Sequence, residues 1–219
     1  MTKQEQIIEK LLPEFRNDPN CLAILVTGSV AKMEASENSD IDLLQISNSE
    51  QPFRELTVDG ILVEIKTHTK QGFIEKIKTK PMNVYQWLDA KVILGDKAIA
   101  QEMISTAKNI YENYESDHDE VKAMKKWLES TRLKISESIK KGDDLSAGFY
   151  VSNILWKIVE GLYLSNNRPT PPSTTALRRI TELKTLPKDF SQIWQSALIG
   201  DLGVRTGATL ALIDFILSQ

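Results

Sequence analysis

Two apolar runs with a short polar stretch between them, CLAILVT at 21–27 and IDLLQIS at 41–47, constrain this chain most. Runs of that length, rich in branched residues, read as buried strands. Buried strands are costly ground for charge, yet the second run is entered through Asp40 and carries Asp42. Residues two apart on a strand leave the same face, so these carboxylates emerge side by side. Like charges so placed repel, which implies a cation, and oxygen-only donors favour Mg²⁺. Just before, Gly28 and Ser29 close the first run and precede residues able to begin a helix. Backbone N–H groups, a hydroxyl and a helix dipole at that point suit a phosphate.

The surrounding pattern predicts the frame that holds these groups. Ile7, Ile8, Leu11, Leu12 and Phe15 recur at helical spacing, with Pro13 placed to end or kink the helix. FRELTVDGILVEIKTHT reads as two strands joined by Asp59-Gly60, a strong hairpin signal. In its second strand Leu62, Glu64, Lys66 and His68 share one face, and Val63 and Ile65 the other. Glu64 is thus an acid in an otherwise core-like strand; if that strand lies beside the Asp40 strand, the three acids converge. Lys66 and His68 read as the solvent end of the same face.

Short helices around Phe73–Ile77 and Val84–Lys91 follow, then a strand in VILGD and a helix from Lys97 to Tyr114. Beyond about residue 115 no strand is legible. Asp119–Lys141 and a longer helix ending near Leu164 are separated by Lys141-Gly142-Asp143-Asp144, where glycine stops one helix and an aspartate caps the next. The proline-rich loop SNNRPTPPS and two or three more helices finish the chain. The fold class expected is therefore α+β, a small mixed sheet with flanking helices over 1–115, followed by an all-α helical bundle over 116–219.

Composition excludes several classes. A formal net charge of −3 argues against a nucleic-acid partner, because phosphate contacts need concentrated Lys and Arg. One cysteine, Cys21, forms no intramolecular disulfide and reads as a small core residue. No apolar run approaches the roughly 20 residues of a membrane span, and MTKQEQIIEK is polar and amphipathic rather than a signal peptide. The expected setting is cytoplasmic, with no membrane partner, as a monomer or homodimer.

Gly28-Ser29, a spacer, and Ser39-Asp40-Ile41-Asp42 resemble the signature of the polymerase-β-type nucleotidyltransferase superfamily, with Glu64 fitting its later acid. KKGDDLSAG and the long helix ending LYLSNNRPTPPS resemble the helical domain of small bacterial aminoglycoside and lincosamide nucleotidyltransferases. The resemblance implies that Asp40 and Asp42 bind metal, and that Glu64 completes the metal site or acts as general base. It also implies that Gly28, Ser29 and Ser39 hold the nucleotide. Where many members carry an arginine soon after the glycine-serine pair, this chain has Val30 and then Lys32, which takes the phosphate role.

The function implied is Mg²⁺-dependent transfer of a nucleoside monophosphate, AMP from ATP, onto a hydroxyl of a small-molecule acceptor, an antibiotic of those two kinds being the first candidate. The helical half would bind the acceptor in a cleft between the domains. The alternatives are a toxin–antitoxin type enzyme that modifies protein or RNA, and a non-catalytic nucleotide sensor.

In the helical half, Trp156, Glu160 and Tyr163 share one helix face, which offers an aromatic and acidic wall for a cationic or sugar-like acceptor or else plain bundle packing. Asp143 and Asp144 read as helix caps, and Arg168, Arg178 and Arg179 as solvated surface.

Overall fold

Both apolar runs are strands, and they are neighbours. In the computed structural model, which describes residues 1–219, β1 (Cys21–Thr27) pairs antiparallel with β2 (Ile41–Ser47). The DG signal forms the expected hairpin of β3 (Arg54–Val58) and β4 (Ile61–His68), with Asp59 at φ 51° and Gly60 at φ 78°. Two left-handed residues in sequence give the turn whose twist suits paired strands. β4 lies parallel to β2, and β5 (Lys91–Gly95) antiparallel to β1, so the mixed sheet has the order β3-β4-β2-β1-β5.

One face of this sheet is covered by α1 (Lys3–Asn17). Ile7, Ile8, Leu11, Leu12 and Phe15 pack on Ile24, Val26, Ile41, Leu43, Val63 and Ile65. Burying each such side chain is worth about 1.5–3 kcal/mol against leaving it in water. Pro13 lies inside α1, which nonetheless runs on to Asn17. A proline removes one helical hydrogen bond, and the burial of Phe15 beyond it holds the last turn to the sheet. Thr2 and Glu5 close the first turn with a reciprocal capping box.

A very short helix, α2 (Gly28–Lys32), follows β1, and α3 (Lys70–Thr79), α4 (Tyr85–Leu88) and α5 (Lys97–Glu112) complete the first unit, Met1–Asn113. Phe73 and Trp87 are buried with their rings edge to face at 4.8 Å. Lys91, read from its spacing as the end of a helix, instead opens β5, because its backbone pairs with Val26.

Cys21 is half-buried at the start of β1. Burial pushes its thiol up to about 11, Asp18 adds to the rise, and a hydrogen bond with Gln45 opposes it. Iodoacetamide at pH 8 should accordingly label Cys21 about a hundredfold more slowly than a free thiol, as followed by mass spectrometry, since only the thiolate reacts.

The second unit, Tyr114–Gln219, is helical: α6 (His118–Lys140), α7 (Asp144–Ser165), α8 (Ser173–Arg179), α9 (Phe190–Ile199) and α10 (Leu202–Ser218). α10 packs on α6, α7 and α9. Asp143 accepts from the Ser146 backbone N–H at 3.0 Å and caps α7, as its position suggested. No helix is long and apolar enough to cross a membrane.

Candidate active site

Alternation along β2 and β4 builds the site. Ile41 and Leu43 face the α1 core, so Asp42 between them leaves the opposite face of the sheet. In β4, Val63 and Ile65 take the core side and Glu64 the other. The parallel register sets Asp42 beside Glu64, while on its other flank Asp42 opposes Thr27. Asp40 immediately precedes β2 and is exposed.

Asp42 and Glu64 meet in register, Asp40 is not gathered with them, and a lysine stands beside the pair. The Lys66 ammonium is 3.4 Å from Asp42 Oδ1 and 3.5 Å from Glu64 Oε2. The two carboxylates, 27% and 28% exposed, are half out of water, where mutual repulsion is stronger than at the open surface. Lys66 offsets that repulsion and so is part of the site rather than the solvent end of a strand. No three His, Cys, Asp or Glu side chains are gathered as a ready metal cluster.

Gly28 shows why β1 must end as it does. Its φ is +67°, and a Cβ built on it would lie 2.8 Å from Asp42 Oδ2. Only glycine lets the backbone come this close to the carboxylate. Ser29 follows in α2, whose five residues give little dipole, so a phosphate there would rely on local N–H groups and the Ser29 hydroxyl.

Ser39 and Lys32 already have partners. Ser39 Oγ accepts from the Ser36 backbone N–H at 2.8 Å, closing the loop that leads into β2. Lys32 Nζ forms an ion pair with Asp89 Oδ2 at 3.0 Å. A residue the sequence did not single out, Gln4, is 2% exposed and donates to the Ser36 and Ser39 carbonyls at 2.7 and 3.3 Å. It ties α1 to the loop that delivers Asp40. Its only local signal is a glutamine on the apolar side of an amphipathic helix.

At the far end of β4, His68 donates from Nδ1 to Glu50, which also accepts from the Thr69 N–H and hydroxyl, each at 2.9 Å. Burial pushes the Glu50 carboxyl up, but the hydrogen bonds from His68 and Thr69 outweigh it and hold it below its ordinary value. A depressed carboxylate pKa stabilises the fold above the unfolded value and loses that contribution as pH falls through the folded one. Glu50→Gln should therefore lower the melting temperature at pH 7 and make little difference at pH 3, measured by thermal denaturation at both.

In the helical unit Glu160 and Tyr163 follow the packing alternative rather than an open acidic wall. Glu160 is bound to Lys157 at 2.5 Å, and Tyr163 is buried, its hydroxyl donating to the Ala176 carbonyl at 2.9 Å. Arg168 and Arg179 make local contacts, to the Asn167 carbonyl and to Glu182.

A glycine pressed against a strand aspartate, with a second acid in register beside it, is an arrangement suited to a nucleotide's phosphates and a cation. Residues 8–94 match the family model described as nucleotidyltransferase domain. The matched stretch is less than half of the chain, and it contains Gly28, Asp40, Asp42, Glu64 and Lys66. The match supports a transferase of the nucleotidyl class and nucleotide transfer in general.

Among solved structures, a nucleotidyltransferase-like protein from Exiguobacterium sibiricum aligns over 98% of this chain and 74% of its own, at 12% identity and a TM-score of 0.45. No curated protein matches.

Proposed function

We propose that the chain transfers AMP from ATP, with Mg²⁺, onto a hydroxyl of a small-molecule acceptor bound with the help of the helical half, residues 116–219. The observation that carries this reading is Gly28 held against Asp42, with Glu64 in register beside it. In the reaction the acceptor oxygen bonds to the α-phosphorus, the bond to the β-phosphate oxygen breaks, and pyrophosphate leaves with that electron pair.

Asp42 and Glu64, side by side in register, fit a divalent cation, and Asp40 would have to turn in to join them. All donors are carboxylate oxygens, and the absence of a Cβ at Gly28 keeps one side of Asp42 open. Asp40, Asp42 and Glu64 would hold the ion, which supplies neutralisation of the triphosphate's charge. The chain's own groups do the rest. Gly28 and Ser29 bring backbone N–H groups and a hydroxyl to the phosphates, and Ser39 keeps the entering loop closed. Lys66, beside Asp42 and Glu64, and Lys32, paired with Asp89, can each re-pair from carboxylate to phosphate as a point charge. Glu64 is the candidate base for the acceptor proton.

The acceptor is kept as a hydroxylated small molecule. An aminoglycoside would need carboxylates to meet its amines, and Glu160 is already paired with Lys157. Incubation with α-phosphate-labelled ATP, Mg²⁺ and a panel of aminoglycosides, lincosamides and other polyols tests the proposal. A labelled adduct formed with equimolar pyrophosphate supports it. Pyrophosphate release only when protein or RNA is supplied would replace the acceptor class, and tight nucleotide binding with no turnover on any acceptor would make the chain a sensor.

A further inference from the structure

The helical unit carries a groove of its own. It lies between α6 and α7, encloses about 720 Å³, and is lined by Trp127, Tyr150 and Trp156 together with Lys126, Lys134 and Lys157. That volume falls within the range of small-molecule pockets, about 300–1,000 Å³.

Its chemistry is unlike the rest of the chain. The protein as a whole is acidic, at −3, yet no Asp or Glu lines this groove. Trp127 is 59% exposed and Trp156 is 38% exposed, although large aromatic rings ordinarily gain most from burial. Lys134 lies over the Tyr150 ring and Lys157 over the Trp127 ring, each at 5.8 Å from the ring centre. Ammonium groups held over ring faces keep positive charge next to flat apolar surface. Glu160 neutralises one of the three, through Lys157. Lys126 and Lys134 leave the groove net positive.

We propose that this groove is a binding site for a small anionic molecule with a planar aromatic ring. The ring would stack on Trp127 or Trp156, and a phosphate, sulfonate or carboxylate on it would meet Lys126 and Lys134. A polycationic ligand is disfavoured by the same lysines, and a neutral aromatic would gain the stacking without the charge pairing. The inference does not depend on transfer chemistry in the first unit, because every lining residue belongs to α6 or α7.

Isothermal titration of the full chain with 1-naphthyl phosphate tests it, beside 1-naphthol and inorganic phosphate. The expected result is one site, at least tenfold tighter for 1-naphthyl phosphate than for either fragment. Lys126→Gln/Lys134→Gln should weaken it at least tenfold, and Trp127→Leu, at an exposed position, should do the same with the circular dichroism spectrum unchanged. Saturating α,β-methylene ATP with Mg²⁺ should leave the isotherm as it was.

Equal affinity for 1-naphthol, or no loss in either variant, would overturn the proposal and reduce the lysines to stems covering the tryptophans. Displacement by the ATP analogue would move the probe to the first unit and overturn it too. Tighter, steeply salt-dependent binding of a twelve-nucleotide single-stranded RNA would replace the small molecule by a polymer. Failure of the ATP analogue itself to bind would count against the transfer reading alone.

Discussion

Asp42→Asn should lower nucleotidyl transfer by at least about a hundredfold, the scale expected when one charged group stabilising a transition state is removed. The substitution keeps the shape of the side chain and discards its charge. Asp42 is flanked by Gly28 and Thr27 on one side and by Glu64 and Lys66 on the other. Its 27% exposure and its single long contact to Lys66 mean that the fold gives up little. The melting temperature should stay within about 3 °C of the wild type, as for a typical half-exposed substitution. Transfer rates and thermal denaturation measured on one preparation separate the two effects. A variant that is folded and turns over normally would remove Asp42 from the chemistry.

Gly28→Ala should be nearly as damaging, by a different route. An alanine Cβ would lie 2.8 Å from Asp42 Oδ2, inside van der Waals contact, in a backbone conformation with φ +67° that costs a non-glycine residue about 1–2 kcal/mol. The carboxylate must swing away or the β1–α2 turn must shift. Displacing a reacting group by about 1 Å can cost about a hundredfold in rate. Because Asp42 keeps its charge, nucleotide binding should suffer less than turnover, and comparing KM with kcat for the variant reads this out. Unchanged kcat would mean that the close approach of Gly28 has no part in holding the site.

Much of the first unit was legible in local pattern. The two apolar runs became β1 and β2, and Asp59-Gly60 formed its turn with both residues left-handed. Alternation placed Glu64 on the face opposite Val63 and Ile65. These are short-range consequences of strand geometry, and they held.

What escaped is non-local. Lys66 reads as a solvent-end residue because its pairing with Asp42 exists only once β4 lies parallel to β2 in one particular register. Gln4 reaches carbonyls more than thirty positions along the chain. The Lys32–Asp89 ion pair likewise joins two segments that no sequence spacing connects. Pro13, placed to end or kink α1, does not end it, because burial of Phe15 one half-turn further on holds the last turn. In the helical unit, helices were readable but faces were not. Trp156, Glu160 and Tyr163 share a helical spacing, yet α7 is covered differently along its length, so that Tyr163 is buried and Trp156 looks onto the lysine groove.

The central claim is that Asp40 and Asp42 seat a metal-bound nucleotide on the sheet. Isothermal titration with α,β-methylene ATP, with and without Mg²⁺, in the wild type and in Asp40→Asn/Asp42→Asn, tests it most directly. The account predicts binding that requires Mg²⁺ and disappears in the folded double variant. Equal binding without Mg²⁺, or equal binding by the double variant, would contradict it.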